Sequence, residues 1–227
     1  MTSSCQVVAL ALALALGACA MDPPSPEVSL TEHSQALWAV ETGAVTTLVW
    51  DSGKTENLSP WKSIDCNGTY GSAWLLSALR AFADAGSVDK FIAKLTGTCS
   101  SYQNAFGLFL QDGHSDSAVI FSANHKTPGE LTEISLDRYV NGVELELDNF
   151  SDYVQRLRMF GDKITASGEL GDNEGTTWVG PHGFLIGPLH ALMCPRARVI
   201  TGLALRYDTQ KGKIRTLKVT CRPLTNS

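Results

Sequence analysis

Apolar positions along this chain follow three different patterns. From Val7 to Leu16 they form an unbroken run, bounded by Gly17, Ala18, Cys19 and Ala20. Such a run is too short to span a bilayer and fits the central segment of an export signal. Between Ala73 and Ala85 the apolar residues fall at Trp74, Leu75, Ala78, Leu79 and Phe82, while Ser77, Arg80 and Asp84 take the other side. That spacing predicts one face of an α-helix, capped by Ser72 and ended by Gly86, and Val88 to Leu95 reads as a second short helix. Elsewhere the runs are of β type: Leu37 to Val40, Val45 to Trp50, Phe106 to Leu110, Ala118 to Ser122, Gly142 to Leu147, Val154 to Met159, Val199 to Tyr207 and Ile214 to Thr220. An early helix followed by strands predicts an α+β chain.

The segment Leu16-Gly17-Ala18-Cys19 resembles the bacterial lipobox, which would make Cys19 the lipidated first residue; Ala18-Cys19-Ala20 would instead suit cleavage before Met21. Asp22, Pro23, Pro24 and Pro26 follow at once and argue against a buried helix. The expected organisation is a leader over 1–18, a tether rich in Pro, Ser and Glu over 19–35, and one domain over 36–227. The chain is then an exported lipoprotein of a bacterial envelope, or a secreted protein, meeting the membrane through its lipid alone.

Composition removes several classes of function. With 18 basic against 23 acidic side chains the net charge is −5, which gives no electrostatic footprint for nucleic acid. Setting aside Cys5 and Cys19 leaves Cys66, Cys99, Cys194 and Cys221, an even set that predicts two disulfides in an exported chain. Of the three pairings, Cys66–Cys99 with Cys194–Cys221 is preferred because each closes a local loop. No Cys/His spacing points to zinc, and no cofactor is implied. Asp112, His114 and Asp116 alternate as a strand-borne metal set would, but such stretches are most often solvated turns. Asn57 and Asn67 begin glycosylation sequons, relevant only in a eukaryotic secretory pathway.

The segment Asn67-Gly68-Thr69-Tyr70-Gly71-Ser72-Ala73-Trp74-Leu75-Leu76 resembles the active-site segment of calpain-like and papain-like cysteine proteases, with both glycines and the Trp-Leu-Leu in register. In that family a cysteine at a helix N-terminus is favoured as thiolate by the helix dipole and a nearby imidazolium. The resemblance implies a papain-like fold, an active-site helix packed on a C-terminal antiparallel β-sheet or barrel. It places Ala73 at the nucleophile position, Asn67 at the oxyanion-hole position, His190 at the base position and Val219 where an orienting Asn belongs. Gly71, Ser72 and Trp74 would line the groove. Ala73 has no attacking atom, so the resemblance implies a pseudoenzyme that holds a peptide or protein ligand in its former groove. A hydrolase using Cys66 is an alternative.

A second resemblance leads to a different class. Cys194 through Gly202, Leu203, Arg206, Ile214, Leu217 and Cys221 is similar to a repeat in β-prism, lectin-like secreted proteins, with a disulfide closing each Greek-key unit. Cys66, Leu79, Arg80, Ile92, Leu95 and Cys99 echo it, sharing the ending Ile-x-x-Leu-x-x-x-Cys. This resemblance implies a glycan-binding module, and it requires Trp74 to Phe82 to be a strand. Gly168 to Asp172 also matches the Gly-x-x-x-Asp of jacalin-type lectins, but a chain with 20 glycines produces that spacing by chance.

Overall fold

The computed structural model describes residues 38–40, 44–71, 73–84, 91–105, 108–123, 128–135, 139–149, 152–162, 173–180 and 187–226. The expected leader, Cys19 and the expected tether lie outside these residues, as do Ser72 and Gly168 to Asp172. Within them the fold is built from antiparallel strands. The segment predicted as the active-site helix is a strand, Trp74–Asp84, and Ile92 to Leu95 of the predicted second helix begins another, Ile92–Ala105. The α+β, papain-like architecture is therefore corrected to an all-β one, and the calpain-like resemblance with it.

In chain order the elements are β1 (Trp38–Val40), β2 (Thr46–Asp51), β3 (Lys62–Asp65), α1 (Cys66–Tyr70), β4 (Trp74–Asp84), β5 (Ile92–Ala105), β6 (Leu108–Ser122) and β7 (Pro128–Ser135). They continue as β8 (Tyr139–Leu147), β9 (Val154–Asp162), β10 (Glu174–Gly175), β11 (Leu189–Met193), β12 (Arg198–Asp208) and β13 (Lys213–Asn226). Three sheets result, in the orders β6-β5-β4-β7, β10-β9-β8-β11 and β1-β13-β12-β3, with β2 also paired to β13.

Each sheet is a Greek key, a central hairpin with a third strand beside its second member and a fourth returning beside its first. The third key is closed circularly, because its outer strands come from the other end of the chain. β4, β8 and β12 each pack against the other two, so the three sheets face a common axis as the sides of a triangular prism. The core between them draws Leu76, Leu79 and Ala81 from the first sheet, Val140, Val143 and Leu145 from the second and Ile200, Leu203 and Leu205 from the third.

Those three sets share one pattern, and the pattern explains the helical appearance of β4. Each first strand carries a β-bulge at the same place, between Leu76 and Ala78, Val140 and Gly142, and Ile200 and Gly202. A bulge adds one residue, so two successive inward side chains stand three positions apart instead of two. In β4 the other face is covered as well, since Leu75 and Ala78 are buried beside Leu76 and Leu79. Bulge and double burial together imitate the i, i+3, i+4 spacing of a helix.

The two disulfides expected from the cysteine count are present, Cys66–Cys99 and Cys194–Cys221. Each ties the middle of a hairpin's second strand to the segment that leads into its first. The second hairpin keeps the apolar frame as Val154-x-x-Leu157-x-x-x-Gly161, with glycine in the cysteine's place.

The candidate site at the base of the first hairpin

The most chemically differentiated surface lies where β3 turns through α1 into β4. Asp65 caps α1, its carboxylate accepting the Gly68 N–H at 2.9 Å. A Cβ on residue 68 would meet that carboxylate and push it out of its capping position, so glycine suits the cap there. Gly71 ends the turn with φ at +111°, a conformation that L side chains rarely adopt, and its N–H returns to the Asn67 carbonyl at 3.0 Å. The two glycines that align with the protease segment are thus explained by a capped single turn of helix.

The turn delivers Tyr70 and Trp74 to one spot. Their rings stack at 4.7 Å between centroids with planes 29° apart, and both side chains are half-buried. The Tyr70 hydroxyl donates to Asp116 Oδ2 at 2.7 Å, and the Ser117 N–H donates to Asp116 Oδ1 at 2.8 Å. The Tyr70 bond, then the Ser117 N–H, holds the Asp116 carboxyl below the ordinary carboxylate range, and the same bond to Asp116 raises the Tyr70 phenol. Asp116 sits in an exposed run, Gly113 to Ser117, on β6, an edge strand of its sheet. A flat aromatic pair, a charged acceptor and an edge of polar backbone thus meet on one accessible surface.

The residues singled out by the protease resemblance are scattered. Ala73 is an exposed turn residue before β4 whose carbonyl accepts the Tyr102 N–H at 3.0 Å. His190 is exposed on β11, in the second sheet, tilted over Trp50 at 6.0 Å. Val219 is fully buried on β13, opposite Leu203. Asn67 is buried in α1, its side-chain amide donating to the Gly71 carbonyl, which also makes its sequon an unsuitable glycan acceptor. Ala73 lies in the turn that leads into the first sheet, His190 on the second sheet and Val219 on the third, so a peptide held in a protease groove is corrected along with the fold that would have formed it. Cys66 is spent in a disulfide and offers no thiolate. Of the groove residues, Gly71 and Trp74 do lie together, in the aromatic site. Among the described residues no cluster of three or more His, Cys, Asp or Glu side chains could hold a metal; the Asp112 side chain lies outside them.

Sequence reasoning missed Tyr70 and Asp116 as partners because 46 residues separate them. A second outward surface, on β8 and β9, also carries an aromatic side chain, Trp178, between Arg156 at 4.9 Å and Arg158 at 4.8 Å. Both guanidiniums are engaged there, Arg156 with Glu146 and Arg158 with Glu144. The ladder ties its strands together.

Three sheets about one axis, each a Greek key, define a β-prism. No protein-family model matches the chain, and no curated protein sequence matches it. Among solved structures, the Cry4Aa toxin from Bacillus thuringiensis overlays with a TM-score of 0.50 at 11% identity, over 79% of this chain and 32% of that one. Calystegia sepium agglutinin overlays at 0.47 and 11% identity, over 79% of this chain and 96% of its own. A mannose binding jacalin related lectin from Ananas comosus overlays at 0.44 and 14%, over 79% and 98%. The toxin overlay supports the fold alone, and the chain spans about a third of that protein.

Proposed function

We propose that this protein is an exported saccharide-binding module whose binding surface is the Tyr70–Trp74 stack beside Asp116. The observation that carries the reading is that stack, with a charged, exposed acceptor hydrogen-bonded to its phenol. Sugars present apolar C–H faces and hydroxyl donors together, and an aromatic face with an adjacent carboxylate satisfies both. Asp116 keeps acceptor capacity after accepting one hydrogen bond on each oxygen, since a carboxylate offers about four lone-pair sites. A fixed negative charge favours neutral saccharides over acidic ones.

Export through residues 1–18 and anchoring at Cys19 complete the proposal, and are supported by the apolar run and the lipobox-like segment. The two disulfides agree with an oxidising compartment.

The test is titration calorimetry with methyl glycosides of glucose, galactose, mannose and N-acetylglucosamine. At least one should bind, and Trp74→Ala and Asp116→Asn should each weaken it tenfold or more, which is about 1.4 kcal/mol. His190→Ala, on another sheet, should leave binding unchanged. Binding that ignores Trp74 and Asp116 would reject the site; no binding by any glycoside would reject the function.

A further inference from the structure

We propose that the Cys66–Cys99 disulfide is the positioning element of the Tyr70–Trp74–Asp116 site, holding α1 at the place from which Tyr70 reaches β6; its effect on binding rests on the saccharide reading above. α1 is a single turn of five residues, too short to persist without tertiary support. Cys66 and Tyr70 are its first and last residues, four apart, and so lie on the same face. Cys66 is bonded to Cys99 on β5, and in the β5–β6 ladder Cys99 stands directly opposite Asp116. One face of a single turn therefore makes a covalent bond to one residue of a cross-strand pair and a hydrogen bond to the other.

The two bonds are unequal. The Tyr70–Asp116 bond is solvent-exposed, where water competes for both partners. The disulfide is buried, both cysteines being inaccessible to solvent. It fixes the turn, and the phenol bond follows from the fixed turn.

The molecule contains its own control. Cys194–Cys221 closes the equivalent hairpin, with a sequence separation of 27 against 33, so the two disulfides constrain the unfolded chain almost equally. Cys194 leads through Pro195 to Ala197 into β12 and carries no aromatic pair.

The experiment compares Cys66→Ala/Cys99→Ala with Cys194→Ala/Cys221→Ala in the full chain. Melting temperature, the Tyr70 ionisation followed by 13C-tyrosine NMR and assigned with Tyr70→Phe, and affinity for the tightest methyl glycoside are measured in each. Both variants should melt lower by similar amounts. Only the first should return Tyr70 to the ionisation of a free tyrosine and lose affinity tenfold or more. If the first does not fold, Cys66→Ala/Cys99→Val refills the space of the sulfurs and carries the same comparison. Equal changes in both variants, or an unchanged Tyr70 in the first, overturn the positioning role. Should the wild type bind no glycoside, the saccharide reading fails and the Tyr70 ionisation still decides the positioning.

Discussion

Asp208 is held by groups from two of the three hairpins. The Gln210 and Lys211 N–H groups each donate to its Oδ1 at 3.0 Å, while Arg215 Nη2 at 3.2 Å and the Tyr153 hydroxyl at 3.1 Å donate to Oδ2. Arg215 also donates to the Tyr153 oxygen at 2.6 Å and lies over its ring, and the Tyr153 ring meets Phe91 of the remaining hairpin edge-on. Burial works to raise the Asp208 pKa, but the Lys211 N–H, Arg215, the Gln210 N–H and Tyr153 together overcome it and hold the carboxyl below its ordinary range. A depressed folded-state pKa contributes stability above the unfolded value of about 3.9, and that stability is lost as the pH falls through the folded value. Asp208→Asn leaves Arg215 buried without its counter-charge and should cost about 3 kcal/mol at pH 7. Urea denaturation at pH 7 and pH 3 checks this: the gap between variant and wild type should narrow in acid, because below the unfolded value of about 3.9 the stability that this carboxylate gives the wild type is progressively lost. A gap that does not change with pH would place the cost in packing instead.

At the scale of the element, glycine chemistry sets α1. Gly71→Ala meets no atom within 4 Å of the new Cβ, so its cost is the positive φ alone, about 1–2 kcal/mol. Gly68→Ala drives a methyl into the Asp65 carboxylate and removes the cap, worth about 1 kcal/mol. Because both act on one turn their costs should not add, which thermal melts of the two single variants and the double variant measure. Full additivity would show that the cap and the glycine terminus stabilise separate structures.

The strands β1, β2, β6, β8, β9, β12 and β13 were legible as β-type runs, β6 as two separate ones, since their apolar residues alternate or form short blocks. The Ile-x-x-Leu-x-x-x-Cys echo marked two of the three hairpins, and its counterpart ending in Gly161 passed unseen because the cysteine carried the signal. β4 was not legible: its bulge and two-sided burial erase the period of two that identifies a strand. The site was half visible. Gly71 and Trp74 stood in a conspicuous segment, but that segment resembled a helix start, and Asp116 enters only through strand pairing across the β5–β6 hairpin.

At the scale of the whole molecule, the third sheet depends on strands from opposite ends of the chain. β2 and β1 flank β13, and β3 flanks β12, so the prism closes only when residues near 40 reach residues near 220. The first of these strands begins at Trp38, and Cys19 lies outside the described residues. The proposed anchor and the fold can be tested separately. In a bacterial host, Cys19→Ser should abolish labelling by a radioactive fatty acid and move the protein from the membrane fraction to the soluble one. The released protein should keep the wild-type melting temperature and a far-UV circular dichroism spectrum of β type, without the double minimum of a helical protein. Its affinity for the methyl glycosides should also be unchanged, since Tyr70, Trp74 and Asp116 lie within the prism. Unchanged membrane fractionation would refute the lipid anchor without touching the fold, whereas a helical spectrum in the released protein would refute the fold itself.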